Sequence, residues 1–196
     1  STDRWTEKKY SLDKSSIAQV DVCVYPDSLL QDVVGFGGTF NELGWDALQH
    51  LPQAERDKVM ASLFSKEGVC FALGRTPIAA SDYAMGYYSY NDVKDDYTMR
   101  NFCIDRDRYI LIPYIKAALK LRPDLRMWAS PWSPPAWMKV NEHYSQKSAG
   151  IEKTDIGHNR LDPNRNVLGN VTGFKMQQGY LQAYAIYFSK YVQAYK

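Results

Sequence analysis

The sequence is short of several things, and each shortage closes off a class of function. No apolar run approaches the roughly 18 residues that a membrane span requires, so no transmembrane segment is expected. Cysteine is scarce: Cys23, Cys70 and Cys103 lie far apart, without CxxC spacing and without a histidine pattern beside them. That excludes a recognisable zinc motif, and the odd count gives no disulfide framework. Cys23 and Cys70 sit in strand-like apolar settings and are expected to be small buried hydrophobes. An excess of one charge is missing too. With 24 basic against 22 acidic residues and a formal net charge of +2, there is no electrostatic footprint for nucleic acid or an anionic membrane. The ligand is expected to be uncharged, or to have its charge handled locally. The three histidines, His50, His143 and His158, have no serine or cysteine nucleophile signature around them and are read as surface residues. No internal repeat, low-complexity tract or signal peptide is recognisable. The opening STDRWTEKKY is polar and irregular, as a mature end after signal removal or a cloned boundary would be.

What is present is a chain of 196 residues with 45% hydrophobic content, enough to bury a real core. Aromatic residues make up 14%, including 15 Tyr and 5 Trp, which leans towards surfaces that hold carbohydrate. Residues 17–25, IAQVDVCVY, alternate apolar and polar positions and predict a half-exposed strand before the turn Pro26-Asp27. Residues 33–40, VVGFGGTF, form an apolar run in which glycines permit close backbone approach; they lack the third glycine of a dinucleotide fingerprint. Two helical pieces follow between Trp45 and Lys66, the second starting at Pro52 with Val59, Leu63 and Phe64 on one face and Gly68 as its C′ residue.

A second apolar run, 69–80, precedes a long loop from Tyr87 to Arg106 that is rich in Tyr, Asn and Asp. Residues 107–122 predict a helix with Ile110, Leu111, Tyr114, Ile115, Ala118 and Leu119 on one stripe and a kink or start near Pro113. Residues 125–129, LRMWA, read as a buried strand. After a polar insertion containing the sequon Asn170-Val171-Thr172, a last helix carries Met176, Tyr180, Leu181, Tyr184, Phe188, Tyr191 and Tyr195 at helical spacing. Strand and helix alternate three times, the plan of a (β/α) barrel or a doubly wound sheet. Eight units make a barrel, so three imply part of a larger structure.

The residues able to carry chemistry lie where strands end. Trp132 and Trp137 flank the stiff run Pro131-Trp132-Ser133-Pro134-Pro135, where an indole can face a sugar ring or simply cap the core. Asp82 ends the second strand, and its two acceptor oxygens suit paired hydroxyls or a loop cap. Arg75 stands inside an apolar strand, which predicts a buried carboxylate partner. Asn41 and Glu42 follow the glycine strand; Glu42 is a candidate acid or the beginning of a helix cap.

Four segments together resemble glycoside hydrolase family 30, which includes glucosylceramidase and β-1,6-glucanase. They are GFGGTFNELGWDAL at 35–48, GRTPIAASDYA at 74–84, YSYNDVKDDYTMRNFCIDRD at 88–107 and ASPWSPPAWMK at 129–139. The resemblance implies a (β/α)8 TIM barrel, of which residues 31–196 supply the first three or so βα units. Residues 1–30 would then carry a strand of a side β-domain. It also implies a retaining glycosidase that needs no metal or organic cofactor, in a secreted, periplasmic or lysosomal setting. By position, Asp82 and Trp132 match residues that hold the sugar at the cleaved bond, and Trp137 matches a less regular aromatic of the same loop. Arg75, with Asn41, falls in a supporting place. The family's acid/base and nucleophile lie beyond the last helix, so no catalytic carboxylate is expected in this chain. The partners implied are a β-glucoside or glucan substrate and the rest of the barrel. The alternative is a carbohydrate-binding fragment without catalysis.

Overall fold

The computed structural model describes residues 22–149, 159–169 and 172–196. Residues 22–33 carry one turn, closed by the Ser28 N–H on the Tyr25 carbonyl at 3.1 Å, and no strand. The rest of the alternating stretch at 17–25 lies outside the described residues, as do His158 and the first two residues of the sequon. The unit from Val34 onward is built on three parallel strands in the order β1-β2-β3. These are β1 (Gly37–Thr39), β2 (Leu73–Ile78) and β3 (Arg126–Pro131).

Between β1 and β2 lie α1 (Glu42–Gln49) and α2 (Gln53–Phe64), and between β2 and β3 lie α3 (Asp105–Tyr109) and α4 (Leu111–Leu121). After β3 comes α5 (Gln178–Tyr195). The three βα units expected from the sequence are therefore formed. A Cβ on Gly37 would lie 2.0 Å from the Leu73 carbonyl oxygen, so β1 and β2 approach this closely only with glycine there.

Local chemistry sets each boundary. The Asn41 side chain accepts the Gly44 N–H at 2.7 Å and starts α1. Pro52 stands one position before α2, where its missing N–H costs nothing. Gly68 is not the left-handed C′ residue expected. The left-handed residue of that turn is Cys70 (φ 58°), while a Cβ on Gly68 would meet the Ser62 carbonyl at 2.2 Å. The long predicted helix breaks at Ile110 (φ −123°, ψ −69°), three residues before Pro113, which has no N–H to bond back to Tyr109.

Pro77 lies in the central strand, a position proline normally avoids. The Arg75 carbonyl receives the Phe40 N–H at 2.8 Å, so odd-numbered residues of β2 face β1. β1 ends opposite Arg75, and Pro77 therefore faces a place where no donor is needed.

Two cores result. In the first, Phe40, Trp45, Met60, Phe64, Tyr114, Ile115, Ala118 and Leu125 pack α1, α2 and α4 on one face of the sheet. Phe40 stacks on Phe64 at 5.8 Å and meets Tyr114 edge-on at 4.7 Å. The second core joins the loop after β2 to α5 through Tyr90, Met99, Trp137, Ala183, Tyr187 and Tyr191. At its edge the fully buried Asp107 carboxylate accepts hydroxyls from Tyr88 at 3.0 Å, from Tyr195 at 2.5 Å and from Tyr90.

Three expectations need correcting. β3 is not buried, because it is an edge strand and its face towards Arg75 is uncovered: Trp128 is 59% exposed. Cys23 is exposed and Cys70 half-buried. The stripe of α5 keeps the expected Tyr180, Tyr184, Phe188, Tyr191 and Tyr195 and adds Ala183 and Tyr187, while Met176 precedes the helix and Leu181 lies outside the stripe. Tyr187→Ala is therefore expected to lower stability by about 3–5 kcal/mol in urea unfolding, and Leu181→Ala to change it by less than about 0.5 kcal/mol. Equal losses would put the stripe back where the spacing alone placed it.

Candidate functional site

Ile78 pairs with Pro131, so the segments leaving β2 and β3 begin side by side at the same end of the sheet. After β2 the buried Ala79 adopts a left-handed backbone (φ 66°), which turns the chain off the strand line. Ser81 Oγ accepts the Tyr83 N–H at 3.2 Å and closes the turn, leaving Asp82 exposed at its apex. After β3, Trp132 stands 45% exposed.

Thr39, Arg75 and Trp128 share one row across the sheet, on the face the helices leave uncovered. Arg75 lies between two indoles, its guanidinium carbon 5.4 Å from the Trp128 ring and 5.2 Å from the Trp132 ring, and its Nε donates to Ser130 Oγ at 2.8 Å. Among the described residues no carboxylate pairs with it, contrary to expectation. Arg75 is only half-buried, and the two ring faces with the hydroxyl supply the contacts that a carboxylate was expected to give.

The remaining candidates have other work. Trp137 is 4% exposed and belongs to the core: its Nε1 donates to the Asn91 carbonyl at 3.0 Å, and Tyr97 meets it edge-on at 5.6 Å. Asn41 caps α1. Glu42 is 2% exposed and committed, pairing with Arg106 through bonds of 2.6 and 2.8 Å and accepting the Met85 N–H at 2.8 Å. Asp107 is committed to its three tyrosines. Both buried carboxylates are taken up by partners within the fold.

Sequence reasoning missed a second cluster at the same end. The loops after β2 and β3 line an open slot of about 190 Å³ formed by Tyr87, Tyr88, Asp92, Pro134, His143 and Tyr144. The Tyr87 and Tyr144 rings stack at 4.5 Å, and His143 stands edge-on to Tyr87 at 5.7 Å. His143 is half-buried rather than on the surface, and burial lowers its pKa. Its Nδ1 accepts the Ser145 N–H at 3.0 Å, so the neutral ring carries its proton on Nε2. The Tyr144 hydroxyl donates to the Ala80 carbonyl at 2.9 Å, and its pKa is pushed up to about 12 by burial and then by the nearby Tyr87 and Asp82.

Beneath the slot, Lys139 donates to the Tyr144 carbonyl and to Ser133 Oγ at 3.3 Å. Burial pushes its ammonium down to about 8. The signal available in the sequence was the tyrosine run at 87–90, but its partners lie more than fifty residues away. Among the described residues no group of three His, Cys, Asp or Glu side chains is placed to hold a metal ion, and no helix is long and apolar enough to cross a membrane.

Comparison with known proteins matches residues 33–196 to the glycosyl hydrolase family 30 TIM-barrel domain. This chain belongs to glycoside hydrolase family 30. The family 30 chain is 29% identical to the endo-1,6-beta-D-glucanase of Neurospora crassa over 87% of its own length and 32% of that protein's. It is 32% identical to the lysosomal acid glucosylceramidase of Mus musculus over 63% of its own length and 24% of that protein's. The solved structure of the endo-beta1,6-glucanase BT3312 superposes with a TM-score of 0.58 and 28% identity, covering 82% of this chain and 31% of that one. The family 30 chain thus spans about a third of the length of relatives that it matches across most of its own sequence. What it presents is the N-terminal part of the barrel domain.

The Lys139 environment has a pH consequence. Its pKa is about 8 when folded and about 10.5 when unfolded, so between those values the unfolded chain binds more protons and stability rises with pH. Relative to Lys139→Met, the parent is expected to gain stability in urea titrations as the pH rises from 8 to 10.5. A constant difference across that range would mean that the ammonium is not held in a desolvated place.

Proposed function

We propose that this chain supplies the first three βα units and the sugar-facing rim of a retaining β-glycosidase acting on β-glucosides, with glucosylceramide-like lipids and β-1,6-glucan as the substrate classes. The observation that carries this reading is the uncovered cluster of Arg75, Trp128 and Trp132 at a three-stranded parallel sheet, with Asp82 exposed just past the end of β2. Parallel sheets have both faces covered in stable proteins, so this face calls for further strands to close over it. In the closed barrel the strand ends would line the ligand site.

Asp82 would take two sugar hydroxyls on its two oxygens, and Trp132 would lie against the apolar face of the ring. Arg75, as a positioning residue, would turn its remaining donors towards a carboxylate of the closing strands. Retaining chemistry needs two carboxyl groups about 5–5.5 Å apart, one attacking the anomeric carbon and one protonating the leaving oxygen. Glu42 and Asp107 are bound up in the fold, so this pair comes from the closing part of the barrel. A role in sphingolipid metabolism and a secreted, periplasmic or lysosomal setting accord with the reading and rest on the family.

Two measurements test it. Native and denaturing mass of the purified protein is expected to show a species heavier than the 22.5 kDa of this chain, together with hydrolysis of an aryl β-glucoside. Asp82→Asn is expected to lower kcat/KM by about a hundredfold or more, through loss of charge-assisted bonds to the sugar. A 22.5 kDa species that binds glucoside without cleaving it would favour the carbohydrate-binding alternative.

A further inference from the structure

We propose that Glu42 is a positioning residue for Asp82, holding the turn that carries it through a carboxylate locked in place by Arg106. This rests on the reading of Asp82 as a sugar-binding carboxylate. From Ala79 to Ile104 the chain forms neither helix nor strand, so the place of Asp82 within it is set by tertiary contacts.

Those contacts hold the turn on both sides of Asp82. Before it, the Ala80 carbonyl accepts the Tyr144 hydroxyl at 2.9 Å, and the Ala80 N–H donates to the Tyr88 carbonyl at 3.3 Å. After it, the Tyr83 carbonyl accepts the Leu43 N–H at 3.1 Å, and the Met85 N–H donates to Glu42 Oε2 at 2.8 Å. Glu42 and Leu43 are the first two residues of α1. Asp82 therefore stands between an anchor from the loop after β3 and an anchor from α1.

The Glu42 contact does more than begin a helix, because Asn41 already caps α1. What the carboxylate has in addition is Arg106, whose Nε donates to Oε1 at 2.6 Å and whose Nη2 donates to Oε2 at 2.8 Å. Such a two-point pair fixes the plane of the carboxylate as well as its distance. Arg106 is itself steadied by the Tyr88 ring, 4.2 Å from its guanidinium carbon. Glu42 is 2% exposed, so the oxygen on Met85 is shielded from competing water. Taking this charge out of water is costly, and a cap alone would not require it. A carboxylate that must meet two sugar hydroxyls gains from a rigid backbone, since a misplacement of about 1 Å can cost roughly a hundredfold in rate.

A double-mutant cycle with Asp82→Asn separates positioning from general support of the fold. The reading is kcat/KM for an aryl β-glucoside, taken on the full protein carrying this chain at a temperature where melting curves show each variant folded. Glu42→Gln keeps an oxygen for the Met85 N–H but loses the charge that holds Arg106. It is expected to lower kcat/KM about tenfold in the parent and less than about twofold in the Asp82→Asn background. Arg106→Lys, at a partly exposed position, keeps the charge and gives up the two-point geometry. A loss of about threefold is expected in the parent, again nearly absent in the Asp82→Asn background, and this variant decides the question if Glu42→Gln does not fold.

Equal factors in the two backgrounds would make Glu42 a support for the whole fold and overturn the proposal, as would full activity of both variants in the parent. In either case a large loss in Asp82→Asn alone leaves the Asp82 reading standing. Full activity of Asp82→Asn, or no hydrolysis by the parent, would sink that reading and the positioning role with it.

Discussion

The loop after β2, α3 and the end of α5 meet at one carboxylate that has no ion-pair partner among the described residues. Asp107 is fully buried, and burial raises its pKa, yet it is held by the hydroxyls of Tyr88, Tyr90 and Tyr195 rather than by an arginine. Each hydroxyl comes from a segment with little regular structure of its own to fix it, or from the far end of α5. A carboxylate has four lone-pair directions, and three are used here to bring the loop after β2, the helix α3 and the last turn of α5 to a single point. Each of the three hydroxyl bonds acts against the rise in pKa that burial gives this carboxyl. The slot walls Tyr87 and Tyr88 depend on it directly, since Tyr88 is itself one of the donors.

Much of the architecture was legible because it is written locally. Continuous apolar runs mark the three strands, 3.6-residue spacing marks the helices, and Pro113 marks a break, whereas the cap on α1 is Asn41 rather than Glu42, where the sequence suggested one. What escaped the reading involves partners far apart in the chain. Arg75 reads as a buried charge in want of a carboxylate, but Trp128 and Ser130, more than fifty residues later, flank it instead. Trp137 looks like its neighbour Trp132; the four residues of proline-rich chain between them turn one indole out and the other into the core. The α5 stripe was right at Tyr180, Tyr184, Phe188, Tyr191 and Tyr195 but took in Leu181 and missed Tyr187, whose partners Tyr90 and Phe102 lie far away in the chain.

The candidate site divides in the same way. Asp82 and Trp132 stand at strand ends, where sequence alone can place them. The slot lined by Tyr87, His143 and Tyr144 needs two loops to meet and has no linear signature. The fold separates the two buried carboxylates from the rim: Glu42 ties α1 to Arg106 and the turn at Met85, and Asp107 ties the loops to α5. Both act as fasteners, whereas Asp82 stands exposed at the end of β2.

The proline of the central strand bears on how the sheet finds its alignment. A parallel pair of short, glycine-rich strands has little to stop it sliding by two residues, since side chains would keep their faces. If β1 slid towards the rim, a carbonyl would stand opposite Pro77, which has no N–H to give, and a ladder bond would be lost. In the other direction, the close approach at Gly37 would fall on a residue with a Cβ. Pro77 and Gly37 thus act as opposed stops, a register lock built from one missing hydrogen and one missing carbon.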